Sequence, residues 1–119
     1  MRNHIHKHNK VDILSVPFDD VTMQEMREAV HDFIENDTTD NMFVVTANPE
    51  IVDYALEDHN YHALISEADY IIPDGTGIIQ AGRILGTPLK ERVPGIEFMA
   101  ACLEIAERYH QCVFLLGAA

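Results

Sequence analysis

Three short stretches hold the side chains best suited to chemistry: Thr46-Ala47-Asn48-Pro49-Glu50, Pro73-Asp74-Gly75-Thr76-Gly77, and Leu89 through Gly95, which reads LKERVPG. Asp74 is a lone carboxylate between an apolar run and glycines, a setting in which partial burial suits a general base. Gly75 and Gly77 let a ligand approach the backbone closely and leave helix N–H groups free for an anion. Thr46 and Asn48 offer a hydroxyl and an amide at a strand end. Arg83 and Arg92 are suited to charge-assisted pairing with phosphate or carboxylate. Each residue alone has a plainer reading. Asn48 before Pro49 is a helix N-cap, Thr46 is a common strand residue, Asp-Gly is a turn signal, and LKERVPG is a charged surface loop. The question is whether the three stretches meet.

Other chemistries find less support. The glycines of DGTGIIQAG have G-x-G spacing, but the third position of a dinucleotide fingerprint falls on Gln80, and the motif does not follow the first strand, so a nicotinamide cofactor is not expected. No G-x-x-x-x-G-K-[ST] loop occurs. His4, His6 and His8 alternate in a polar leader, residues 1–10, which reads as a flexible terminus and not a chelating site. No D-x-D pair stands ready for a divalent ion, and no metal site is expected.

Charge narrows the partners. The 119 residues carry a formal net charge of −12. Fifteen of the twenty acids lie within residues 12–69, beside one base, Arg27. Residues 74–119 hold four bases against five acids, so an anionic ligand is better received there, around Arg83 to Arg92. Nucleic acid is not expected, because backbone binding needs clustered Lys and Arg. No apolar run reaches the length of a membrane-spanning helix, and the leader lacks the apolar core of a secretory signal. Cys102 and Cys112 form no C-x-x-C pair and read as small core hydrophobes of a reducing cytoplasm.

The elements that must position these residues follow from periodicity. VDILSVPFDD reads as one short strand entering a turn. Thr22 and Glu25 have capping-box spacing, and Met23, Met26, Val30, Phe33 and Ile34 give the following helix an apolar face. MFVVTA reads as a strand buried on both sides. Asn48-Pro49 opens a helix with Ile51, Tyr54, Ala55 and Leu56 expected on its buried side. Glu57-Asp58-His59 reads as its solvated end, and YHALISEA as a further short helix. DYIIPDG is another strand, TGIIQAGRILG a helix closing at Gly86, IEFMAACLEIAERYH an amphipathic helix, and CVFLLGAA a last strand. Strands alternating with helices predict an α/β fold with a Rossmann-like, mostly parallel sheet flanked by helices. Residues 11–119 form part of one domain in this reading, and the final strand, with no covering helix after it, reads as a truncation at the C-terminus. In such sheets ligands bind beyond the carboxyl ends of the strands. Thr46, Asn48 and Asp74 would then share one crevice.

Taken together, TANPE, ADYIIPDGTGI, ERVPGIEFM and VFLLG, in that order and spacing from about Val11 onward, resemble the WecG/TagA/CpsF family of bacterial glycosyltransferases, most of all its TagA branch. The resemblance implies an inverting, metal-independent enzyme without cofactor. It would move N-acetylmannosamine from UDP-N-acetylmannosamine to undecaprenyl-diphosphate-linked N-acetylglucosamine, in wall teichoic acid or related surface-glycan synthesis. It further implies Asp74 as catalytic base, Thr46 and Asn48 as pocket wall, and Arg92 near the diphosphate or acceptor. Family members continue beyond this length with a segment that contacts the membrane. The expectations are therefore a cytoplasmic protein peripheral to the inner membrane face, possible self-association, and little activity from 119 residues alone. The rival expectation is a non-catalytic binding or assembly module that keeps the motifs as caps and turns.

Overall fold

The computed structural model describes residues 9–36 and 41–117. His4, His6 and His8 of the expected leader lie outside them, as does Ala118 at the end of the last expected strand.

The first strand segment is a hairpin instead of a single strand. β1 (Lys10–Ile13) and β2 (Val16–Asp19) pair antiparallel, with Lys10 opposite Asp19 and Ile13 opposite Val16. Leu14 and Ser15 turn the chain at φ of 51° and 72°. Two consecutive left-handed residues are the backbone of a type I′ turn, a role that Asn and Gly usually fill, so composition gave no warning of it. Downstream, Thr22 and Glu25 form the expected capping box at the start of α1 (Met23–Glu35), the Thr22 hydroxyl accepting from Glu25 N and Glu25 accepting from Thr22 N.

β3 (Val44–Ala47) and β4 (Tyr70–Pro73) are parallel neighbours, Thr46 opposite Ile72 and Ala47 opposite Pro73. Between them lie α2 (Pro49–Glu57) and α3 (His59–Ile65). Asp58 is more than the solvated end expected of it: its Oδ1 accepts from Tyr61 N at 3.0 Å and caps α3. Among the described residues of α2, Val52 and Ala55 face the core, while Tyr54 and Leu56 are exposed, contrary to expectation. The ring of Tyr54 packs instead on Tyr61, with centroids 4.6 Å apart. α4 (Thr76–Ile84) ends as expected at Gly86, φ +78°, with Gly86 N donating to Arg83 O and Thr87 N to Gly82 O, the paired bonds of a Schellman cap. α5 (Gly95–Arg108) follows.

β4 is buried throughout, and its side chains alternate between two cores. Ile71 joins Ile13, Val16, Phe18, Ala47, Val52 and Ile78 on the α2–α4 side. Tyr70 and Ile72 join Val21, Met26, Ala29, Val93 and Phe98 on the α1–α5 side. This is the period-two signature of a strand with helices on both faces. The α/β class is as expected; parallel pairing among the described residues is confined to β3 and β4, and the hairpin adds an antiparallel part.

β2 runs beside β4 without a backbone ladder. Its last residue, the buried Asp19, reaches across instead: Oδ2 accepts from Ile71 N at 2.8 Å, and Lys10 Nζ lies 3.0 Å from Oδ1. One carboxylate thus stands in for a rung of the sheet.

The expected last strand is not formed. Residues 111–117 pair with no strand, and Phe114 and Leu116 are 84% and 90% exposed. Their apolar composition is real, but a strand needs a neighbouring edge to complete its hydrogen bonds, and none is engaged among the described residues. Cys112 is accordingly exposed and not a core residue. Cys102 is half-buried; burial pushes its thiol pKa up, while Arg27 pulls more weakly the other way. A raised pKa means less thiolate at pH 8, and the thiolate is the nucleophile. Iodoacetamide at that pH is therefore expected to modify Cys112 first, by roughly tenfold or more, a difference that mass spectrometry of timed samples would read.

Candidate functional site

The parallel pair β3–β4 aims both carboxyl ends the same way, and the next residues of each strand enter helices. Asp74 N donates to Ala47 O at 3.1 Å, so the two strand ends are locked side by side. Asn48 Oδ1 accepts from Ile51 N at 2.9 Å and caps α2. Its amide nitrogen has no partner among the described residues. The cap and the pocket-wall readings of Asn48 are both available to one side chain.

α4 begins differently. Its N-cap is Gly75, φ +110°, a conformation that L side chains rarely adopt. No side chain caps this helix, so its first N–H groups are not occupied from that direction. Pro49 closes over the turn: a Cβ at Gly77 would lie 3.0 Å from Pro49 Cγ, and one at Gly75 3.4 Å from Pro49 Cδ. The two glycines let the starts of α2 and α4 approach each other.

Gly95, the first residue of α5, completes the crevice. A Cβ placed there would lie 2.8 Å from Thr46 Oγ1 and 2.9 Å from Asp74 Oδ2. The hydroxyl and the carboxylate therefore converge on one point, at the foot of a helix that again has no side-chain cap. Both Thr46 and Asp74 are partly buried. Neither side chain has a hydrogen bond or ion pair among the described residues. Three helix starts, α2, α4 and α5, thus lie around a carboxylate that no group among the described residues engages.

The basic residues form the next part of the same region. Arg83 and Arg92 line one cleft of about 330 Å³ with Thr76, Gln80, Lys90 and Glu91. Thr76, at the start of α4, joins this cleft to the Gly75 turn. LKERVPG is not a loose surface loop. Lys90 N donates to Asp20 Oδ1 at 2.7 Å, and Glu91 Oε2 accepts from Met23 N at 2.7 Å, both at the entrance to α1. Val93 is fully buried, and its N–H donates to Pro73 O at 2.8 Å. Held on both sides in this way, Arg92 is set beside β4's end, and among the described residues neither it nor Arg83 has an ion-pair partner.

The sequence therefore pointed to Thr46, Asn48, Asp74, Gly75 and Gly77, which do meet, and to Arg83 and Arg92, which share the adjoining cleft. It missed Gly95, whose role depends on contacts with residues distant in the chain; the Pro-Gly step before a helix was the available signal. No group of three or more His, Cys, Asp or Glu side chains among the described residues is arranged to hold a metal ion. No helix among them is long and apolar enough to cross a membrane.

This arrangement can receive an anion between helix starts and arginines, and can take a proton at Asp74. Comparison with known proteins agrees with the motifs. Residues 11–119 match the model of the glycosyl transferase WecG/TagA/CpsF family. The chain is 54% identical over 109 residues to the N-acetylglucosaminyldiphosphoundecaprenol N-acetyl-beta-D-mannosaminyltransferase of Staphylococcus aureus strain NCTC 8325 / PS 47, and equally to that of strain COL. The matched region is 92% of this chain and 43% of each relative, so the chain spans less than half the length of the relatives it matches.

Proposed function

The chain belongs to the WecG/TagA/CpsF family of glycosyl transferases, and we propose that its full-length protein is an inverting N-acetylmannosaminyltransferase. The donor in this reading is UDP-N-acetylmannosamine, and the acceptor is N-acetylglucosamine on undecaprenyl diphosphate, as the names of its relatives suggest. The observation that carries it is the half-buried Asp74 carboxylate, unengaged among the described residues and set, like the Thr46 hydroxyl, against the start of α5.

In the reaction, Asp74 accepts the proton of an acceptor hydroxyl. The oxygen of that hydroxyl then forms a bond to the anomeric carbon from the face opposite UDP. The bond from that carbon to the diphosphate breaks, and UDP leaves with the electron pair. One displacement inverts the anomeric configuration. Asn48 and Thr46 orient the sugars, and the N–H groups at the start of α4 lie where an anion is favoured. Arg92 and Arg83 offset the charge that grows on the departing diphosphate. This reading assigns no step to a metal or an organic cofactor.

An enzyme of this kind works on a lipid-linked acceptor, so the reading places it on the cytoplasmic face of the cell membrane, held peripherally. Its products belong to wall teichoic acid or a related surface glycan. The test is direct: full-length protein, UDP-N-acetylmannosamine and a short-chain lipid diphosphate carrying N-acetylglucosamine, with products followed by mass spectrometry. A disaccharide-lipid with released UDP is the expected result. Absence of both products under conditions where UDP binds would favour the rival, a nucleotide-sugar-binding module.

A further inference from the structure

We propose that Gly95 is a positioning residue that sets the pose of Asp74 and Thr46, an inference that rests on the glycosyltransferase reading above. Three atoms crowd the place where a side chain at position 95 would begin: Thr46 Oγ1 at 2.8 Å, Asp74 Oδ2 at 2.9 Å and Thr46 Cβ at 3.0 Å. The first two are the groups that touch substrate in the proposed reaction. The third belongs to the strand side of Thr46 and cannot rotate away. A methyl group at position 95 therefore has to move the carboxylate, the hydroxyl or the start of α5.

The start of α5 has little freedom to retreat. Val93, two residues earlier, is fully buried and donates its N–H to Pro73 O, while Phe98 is buried in the first full turn. Pro94 between Val93 and Gly95 fixes its own φ near −62°. The backbone at Gly95 is anchored on both sides, and its φ is negative, so an alanine there meets no backbone penalty. The strain falls on Asp74 and Thr46. In this way a residue that offers no functional group controls where the base stands.

The experiment uses the full-length protein with Gly95→Ala. The expected result is a kcat for transfer lowered about 10- to 100-fold, the scale of a displacement near 1 Å at a reacting group. KM for the donor and the dissociation constant for UDP stay within about twofold, because the arginine cleft is not altered. In the same proteins the side-chain carboxyl carbon of Asp74 is read by ¹³C NMR, and its resonance moves on Gly95→Ala. An unchanged kcat in an active enzyme overturns the inference and leaves the transferase reading standing. An unmoved Asp74 resonance overturns it whatever the transfer assay gives. A parent protein without transfer, in which the resonance still moves, sinks the transferase reading while the positioning contact stands.

Discussion

Asp74→Asn in the full-length protein is expected to lower kcat for glycosyl transfer by about 10²- to 10⁴-fold, the usual contribution of a positioned general base. Stability should barely change. Removing a charge normally leaves its partner stranded, but here no protein group hydrogen-bonds or pairs with the Asp74 side chain among the described residues. Asparagine has nearly the same shape, so the contact with Gly95 and the turn at Gly75 are kept. UDP affinity should also hold, because the arginines of the neighbouring cleft are untouched. The measurement is a set of three on parent and variant: initial rates with the lipid-linked acceptor, UDP binding by calorimetry, and thermal midpoint. A large loss in the first with the other two unchanged fits a base. Full retention of transfer would mean that the proton leaves by another route and that Asp74 is only the turn residue its sequence context also allows.

The parts of this site that were legible beforehand are those settled by local chemistry. Asn48-Pro49 has one good solution, an N-cap followed by a proline that gives up no hydrogen bond, and the structure uses it. Thr22 with Glu25 and Gly86 after α4 are of the same kind. Asp74 and Thr46 were legible one step later, since parallel strands that end side by side must bring their next residues together. What was hidden depended on partners far along the chain. Arg92 was singled out for its charge, but its placement was hidden. LKERVPG also read as a surface loop, and the ties from Lys90 and Glu91 to the start of α1 are what hold its backbone. The Leu14-Ser15 turn carries no glycine or asparagine, so the hairpin is imposed by packing of Ile13 and Val16 in the core and not by turn composition. Residues 112–117 failed for the opposite reason. Their strand propensity was clear, but propensity describes a residue's fit to a sheet and does not supply the neighbouring edge.

Asp19 was not singled out in the sequence, where it closes a short strand entering a turn, and its replacement carries the largest expected effect on stability. Asp19→Ala is expected to cost about 2–4 kcal/mol, because the buried N–H of Ile71 loses its acceptor and a small cavity opens at a fully packed strand end. Lys10 adds little to that figure. Its side chain is 49% exposed, and the ammonium returns to water when its partner is removed. Asp19→Asn separates the terms, since an amide oxygen can still accept from Ile71 N while the ion pair is lost; a cost of about 1 kcal/mol is expected. Urea denaturation of the three proteins gives the comparison, with midpoints ordered parent, Asn, Ala. Equal loss in both variants would mean that the charge, and not the acceptor, holds β2 to β4. The consequence reaches the site because Ile71 lies on the strand that ends at Asp74. β4 is held on one side by the β3 ladder, and on the other by Asp19 at Ile71 and by Val93 at Pro73. Loosening the Ile71 tie shifts load to the bond from Val93 N to Pro73 O, two residues further along the same strand. Asp19→Ala should therefore also lower kcat, by less than Asp74→Asn and in step with the loss of protection of the β4 amides in hydrogen exchange.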